Sequence, residues 1–236
     1  MTQAPSDPAD DLTPSRRPRG RPKLLTHDRI LQVTLAMLSE KGLPSFTMSR
    51  LAQRLGTSAM TLYTYFPSRQ ALLDAAAERI FGGFSPPARD LPWQVAIETW
   101  LRSLETLIAE FPVGLKLIKW DGAIAPAWLT VWMPLLHILA RAGLEGRDLL
   151  VAASWVSRVG LSLLIAKIAE DEEIAAIKQT VSRELTLAAE DRALLTSLTD
   201  QAGQQRTATL FEFGVANIVE SLGKLVPADA IPQKKR

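Results

Sequence analysis

Cysteine is absent from the 236-residue chain. That excludes a disulfide framework and a thiolate metal site, and it fits a reducing, cytoplasmic setting. Histidine is almost absent, since His27 and His137 are too few and too far apart in sequence for an imidazole metal cluster. The N-terminal stretch lacks an apolar run, so no secretory signal is expected. Nowhere is there a glycine-rich phosphate loop, a recognisable nucleophile–base pair or a cofactor motif, which leaves an enzymatic reading without support. A lone histidine such as His137 in an apolar helix is more often a satisfied core residue than a catalyst. The most local absence is of negative charge: no Asp or Glu occurs between Lys41 and Leu73. Nothing in that stretch would repel a phosphate backbone. It also holds both of the chain's tyrosines, Tyr63 and Tyr65.

What is present is an ordinary soluble composition, 47% apolar and 22% charged. The net charge of +2 conceals an uneven distribution. Residues 12 to 81 carry eleven Lys/Arg against the four acids Asp28, Glu40, Asp74 and Glu78, whereas residues 82 to 236 carry sixteen against eighteen. A positive front end suits a polyanion, because neutralising phosphates releases condensed counterions.

Residues 1 to 14 are polar, acidic and proline-containing, and read as disordered. Residues 15 to 23, SRRPRGRPK, then hold Arg16, Arg17, Arg19, Arg21 and Lys23 with no acid, and their prolines block a helix. An extended arm of this kind, with Arg19 and Arg21 flanking Gly20, has the shape to lie in a narrow A·T-rich minor groove. Its Arg19-Gly20-Arg21-Pro22 core resembles an AT-hook. A solvated linker with only non-specific phosphate attraction is the equally available reading.

From Thr26 the pattern becomes helical. Thr26 is an N-cap candidate, Asp28 sits in the first turn and Gly42 follows Lys41 as a stop. Thr47 is a second N-cap, and Met48, Leu51, Ala52 and Leu55 form an i, i+3, i+4, i+7 stripe that leaves Arg50 and Arg54 outward. Gly56 supplies a left-handed turn residue and Ser58 can cap the helix from Ala59 to Phe66. With Leu62 taken as inward, Met60 and Thr64 point nearly opposite and Thr61 and Tyr63 lie on the flanks. That outward face is uncharged and short: hydroxyls and methyls can meet base edges, and Tyr63 and Tyr65 can donate to phosphates. Pro67 stops the helix, Ser68 starts another, and Arg69 stands in its first turn. Two short helices about a tight turn are the outline of a helix-turn-helix reader, although compact three-helix units also occur in proteins that bind no DNA.

The stretch from Leu25 to Leu73 resembles the N-terminal domain of the tetracycline-repressor (TetR) family. Gly42, Thr47, Leu51-Ala52, Leu55-Gly56, Ser58, Thr61-Leu62-Tyr63, Phe66 and Leu72-Leu73 match its pattern. The departures are Thr57, where an aliphatic residue is commoner, and Arg69, where lysine is commoner. The resemblance implies that Thr47, Met48 and Ser49 sit near phosphate and groove edge, that Ala59 to Tyr65 occupy the major groove, and that Arg69 takes the place of a phosphate-binding lysine. It further implies an all-α chain: a three-helix helix-turn-helix domain at 24–81, and a larger helical ligand-binding and dimerisation domain at 82–226. The remainder is a tail with the basic arm at 1–23 and a mobile segment at 227–236.

The larger half reads as helices at 91–110, 112–120, 125–142, 146–169, 171–198 (broken) and 204–225. Residues 123 to 140 carry no formal charge. Pro126, Pro134 and His137 argue against a membrane span and for a helix buried nearly all round. All six tryptophans lie in this half. Trp100, Trp120, Trp128, Trp132 and Trp155, with His137, are candidates to line a pocket for a small apolar or aromatic effector, core packing being the commoner use of any one of them. Two stripes suit close helix approach: Ala153, Val156, Gly160 and Leu164, and Leu210, Phe213, Gly214, Asn217, Ile218 and Ser221. They serve either as an internal seam or, as the family resemblance implies for the last two long helices, as a homodimer interface. The sequence thus reads as a homodimeric, effector-responsive repressor of a pseudo-palindromic operator. The alternative is an architectural A·T-rich DNA-binding protein without effector control.

Overall fold

The computed structural model describes residues 25–118, 125–183, 188–204 and 210–227. The arm with Arg19 and Arg21, Trp120, and the segment beyond Pro227 lie outside the described residues. Among those described, the chain is helical with no strand.

The first four helices form where local side chains satisfy their free N–H groups. In α1 (His27–Lys41) the Thr26 hydroxyl accepts from the Arg29 amide at 3.1 Å. In α2 (Met48–Leu55) Thr47 accepts from Arg50 at 3.2 Å. In α3 (Ala59–Tyr65) Ser58 accepts from Thr61 at 3.1 Å, and in α4 (Arg69–Phe81) Ser68 accepts from Ala71 at 3.0 Å. Such caps fix where each helix starts independently of what it packs on. Two of the three intervening turns use positive φ: Gly42 ends α1 at φ 69°, and Gly56 ends α2 in the left-handed region at φ 67°, ψ 34°. The apolar stripes of all four helices then meet, burying Ile30, Leu38, Leu51, Leu62 and Leu72.

The remaining helices are α5 (Trp93–Glu110), α6 (Gly114–Leu117), α7 (Pro126–Arg141), α8 (Gly146–Arg183), α9 (Ala189–Gln204) and α10 (Leu210–Gly223). Their core is continuous with that of the first four, since α4 packs against both α6 and α7. The fully buried Trp100 on α5 donates its indole N–H to the Val131 carbonyl of α7 at 2.8 Å, joining the two helices inside the core.

Three expectations need correction. The helix expected at 146–169 runs on without a break to Arg183 as a single element of 38 residues. Helix propensity carries across 169–173, where the chain is AEDEE and has neither Gly nor Pro to stop it. The helix expected at 112–120 is only the short α6, because Ile118 is already extended. Finally, α7 is buried on one side rather than all round. Ala127, Trp128, Val131, Leu135, Ile138 and Leu139 face inward, while Leu129, Met133 and His137 are exposed. Charge-free composition had suggested complete burial, but an apolar residue is not obliged to be inside.

Candidate nucleic-acid interface

Gly56 and Ser58 set the angle at which α3 leaves α2, and α3 is anchored by the fully buried Leu62 and the buried Phe66. This leaves Met60, Thr61, Tyr63 and Thr64 on the exposed side, with Met60 76% and Tyr63 44% accessible. Ala59 is half-buried at the edge of that face. The hydroxyls of Ser58 and Thr61 lie 2.9 Å apart, and Thr64 donates its hydroxyl proton to the Thr61 carbonyl at 2.6 Å. Thr47 and Ser49, at the start of α2, are exposed as well.

Three residues expected at the phosphates are engaged within the domain instead. Met48 is buried, since position 48 belongs to the same apolar stripe of α2 as Leu51 and Ala52. Tyr65 donates its phenol to the Leu25 carbonyl at 2.8 Å and stacks edge-on against His27, with ring centroids 5.0 Å apart. It clasps the end of α3 to the start of α1 instead of reaching outward. Arg69 gives its guanidinium to the carbonyls of Phe46 (3.2 Å) and Leu43 (3.3 Å) and lies over the Phe46 ring. It bonds the connection between α1 and α2, adding a second donor to the Leu43 carbonyl that already accepts the Phe46 amide. Arg50 likewise donates to the Ser45 carbonyl at 2.7 Å, and Arg54 forms a two-pronged pair with Glu40 at 2.5 and 2.6 Å. That pairing holds the Glu40 carboxyl below its ordinary range, chiefly through the Arg54 hydrogen bond.

Among the described residues, the tryptophans expected to bind an effector differ widely in burial. Trp100 is consumed by the core, and the buried Trp128 packs edge-on against Phe81 at 5.7 Å between ring centroids. Trp132 is half-buried, whereas Trp155 and His137 are exposed. A different space opens between the two halves of the chain. This groove of about 520 Å³ is bounded by Leu38 at the end of α1, Val113 and Leu115 around the start of α6, and Ile165 and Ile168 on α8, with Glu110 and Lys116 as its charged members. Sequence reading missed it because its walls come from three separated elements, and no spacing along one helix reveals them.

The expected association stripes are half corrected. Ala153, Val156, Gly160 and Leu164 of α8 are buried inside the protomer. A Cβ at Gly160 would lie 2.7 Å from a Leu101 methyl, so that small residue admits α5. On α10, Gly214 and Ile218 also face inward, and a Cβ at Gly214 would stand 2.2 Å from Leu163. Leu210, Phe213 and Asn217 are exposed and Ser221 is half-buried. Large apolar residues of α8 left outside, among those described, are Leu150, Val151, Trp155, Ile165 and Ile168.

A short recognition-type helix held by a glycine turn, with an uncharged face exposed on a surface free of acids from Gly42 to Leu73, has the geometry of a helix-turn-helix unit of the DNA-binding class. Residues 30–76 match the model of the bacterial regulatory proteins, tetR family. Over that stretch the chain is similar to the family's regulators. It is similar to the HTH-type transcriptional repressor DrrR1 of Streptomyces coeruleorubidus, at 30% identity over 58% of this chain and 52% of that protein. The chain therefore spans about half the length of that relative. It is also similar to the tetracycline repressor protein class A from transposon 1721 of Escherichia coli, at 28% identity over 85% of this chain and 91% of that one. Among solved structures, the TetR family protein ActR of Streptomyces coelicolor, in complex with actinorhodin, superposes with a TM-score of 0.70. The superposition has 20% identity and covers 88% of this chain and 99% of that one.

Proposed function

We propose that the chain is a cytoplasmic, homodimeric repressor that reads a pseudo-palindromic operator and is released from it by a small apolar effector. The observation that carries this reading is the exposed, uncharged side of α3, set on a unit whose Arg50, Arg54 and Arg69 are engaged within it and which has no carboxylate between Gly42 and Leu73. Residues 24–81 read the DNA, through the face of Met60, Thr61, Tyr63 and Thr64, with Thr47, Ser49 and Ser58 beside the backbone. Residues 82–226 sense the effector and pair the protomers, and the arm with Arg19 and Arg21 adds phosphate or minor-groove attraction. DrrR1 and the class A tetracycline repressor, both named as repressors, support the sign of regulation, and the actinorhodin-bound ActR supports an effector.

The groove between α1, α6 and α8 is the better effector site than the scattered tryptophans. Its volume suits a ligand of drug size, and its walls are mostly apolar with a few polar groups. A ligand there would touch α1 of the reader and α8 of the larger domain together, so that its binding energy could favour one reader position over another. Footprinting on duplexes enriched from a random library is expected to show a discrete palindromic protected segment. Diffuse coverage of A·T-rich DNA would overturn the regulator reading in favour of an architectural protein. Filling the groove with Leu115→Trp is expected to abolish release by an apolar effector while leaving operator binding intact, and an unchanged response would remove the effector from this groove.

A further inference from the structure

The polar groups on the reading face of α3 are largely spent on α3 itself. Thr64 commits its hydroxyl proton to the Thr61 carbonyl at 2.6 Å. The Ser58 oxygen accepts the Thr61 amide, and the Ser58 and Thr61 hydroxyls bond each other at 2.9 Å. Those two hydroxyls therefore keep one free proton between them. From Gly56 to Phe66 the chain has no Arg, Lys, Asn or Gln, so α3 cannot form the bidentate pairs that read guanine O6/N7 or adenine N6/N7. The nearby guanidinium groups of Arg50, Arg54 and Arg69 are held by Ser45, Glu40, Phe46 and Leu43. Apart from that one proton and the phenol of Tyr63 on the flank, what α3 has left to offer a base edge is apolar: the Met60 side chain, 76% accessible, and the γ-methyls of Thr61 and Thr64.

The major groove has one apolar feature of its own, the C5-methyl of thymine. We infer that this protein specifies its operator chiefly by contact of Met60, Thr61 and Thr64 with thymine methyls, not by hydrogen bonds to purines. The turned-back hydroxyls hold the threonine side chains in one rotamer, so their methyls meet the groove without paying for ordering on contact. Burying a methyl is worth roughly a fourfold change in affinity. A pair of thymines in each half-site of a dimeric operator would multiply that to more than a hundredfold across the whole site. The inference rests on the reading that α3 enters the major groove.

The test uses the full-length protein and a duplex enriched by it from a random library. Each thymine of the half-site is replaced singly by deoxyuridine, which removes the methyl and keeps the base pair. One or two positions per half-site are expected to lose about three- to tenfold in affinity. Thr64→Ser, which keeps the hydroxyl and removes the γ-methyl, should bind the thymine and deoxyuridine duplexes alike at the position it faces. Met60→Ala should do the same at its own position. Tight binding that is indifferent to deoxyuridine everywhere overturns the inference and leaves the regulator standing. A larger loss from 7-deazaguanine, which removes a hydrogen-bond acceptor, also overturns it. Failure of the library to yield any enriched duplex would sink both the regulator reading and this inference.

Discussion

Tyr65 and Gly56 govern the same short helix by different means. The Tyr65 phenol reaches forty residues back along the chain to the Leu25 carbonyl, part-buried, so removing it leaves that acceptor poorly served. Tyr65→Phe is expected to lower stability by about 1 kcal/mol, read as a fall in thermal midpoint. Operator affinity should change by less than about threefold, because Phe keeps the ring against His27 and no phosphate contact is lost. A large loss of affinity with no loss of stability would restore Tyr65 to the phosphates. Gly56 makes a purely backbone argument. A Cβ there meets nothing within 4 Å, yet φ is 67°. Gly56→Ala should therefore cost about 1–2 kcal/mol, from the left-handed conformation alone. Asn, which tolerates that region better, should recover part of the loss in the same urea titration.

At the scale of the helix, the starts of α1 to α4 and the turns between them were legible because caps and glycine turns are local: Thr26, Thr47, Ser58 and Ser68 bond amides three residues on. What periodicity could not supply was direction in three dimensions. The stripe Ala153, Val156, Gly160 and Leu164 was visible as a stripe, but small residues permit close approach to any neighbour, and here the neighbours are inside the protomer. The same limit hid the groove, whose walls belong to α1, α6 and α8 at once. Gly214 turns the distinction into an experiment. Its missing Cβ makes room for Leu163 across the contact between α8 and α10. Gly214→Ala should destabilise the protein by about 1–3 kcal/mol through overpacking, even in a form that cannot dimerise. Combining it with Leu163→Ala should return part of that cost, giving a favourable coupling energy in a double-mutant cycle. Independence of the two substitutions would move Gly214 out of the internal seam.

For the whole molecule, α10 is tied to α5 by charge as well as by packing. Arg102 bridges Glu98 on its own helix and Glu212 on α10, at 3.1 and 2.9 Å. The Arg102 hydrogen bond holds the Glu212 carboxyl below its ordinary range, and the same bond, with that to Glu98, raises the Arg102 guanidinium. A carboxyl with a folded value below its unfolded value of about 4.3 contributes stability above that pH and loses it as pH falls through the folded value. Glu212→Gln should thus lower the thermal midpoint at pH 7, by an amount equivalent to no more than about 1 kcal/mol for so exposed a pair, and the difference should close below about pH 4. Beyond this bridge α8 turns Val151, Trp155, Arg158, Ser162 and Ile165 outward at spacings of four, three, four and three, and α10 exposes Leu210 and Phe213, the latter 63% accessible. Gly146–Ile168 is apolar enough to cross a bilayer, with a mean hydropathy of 1.8, yet its inner side is committed to the core, so the unexplained part of that hydropathy is the outer stripe. That face, with Val151, Trp155 and Ile165 at coiled-coil spacing around Arg158 and Ser162 and an exposed phenylalanine beside it, is where the proposed homodimer would place its helix–helix contact. On that proposal, Val151→Glu with Phe213→Glu should shift sedimentation from dimer to monomer while helical content and urea stability of the protomer are kept. Because a monomer engages one half-site only, operator affinity should fall about 100-fold or more. A fully active dimer in that double variant would place the interface on another face.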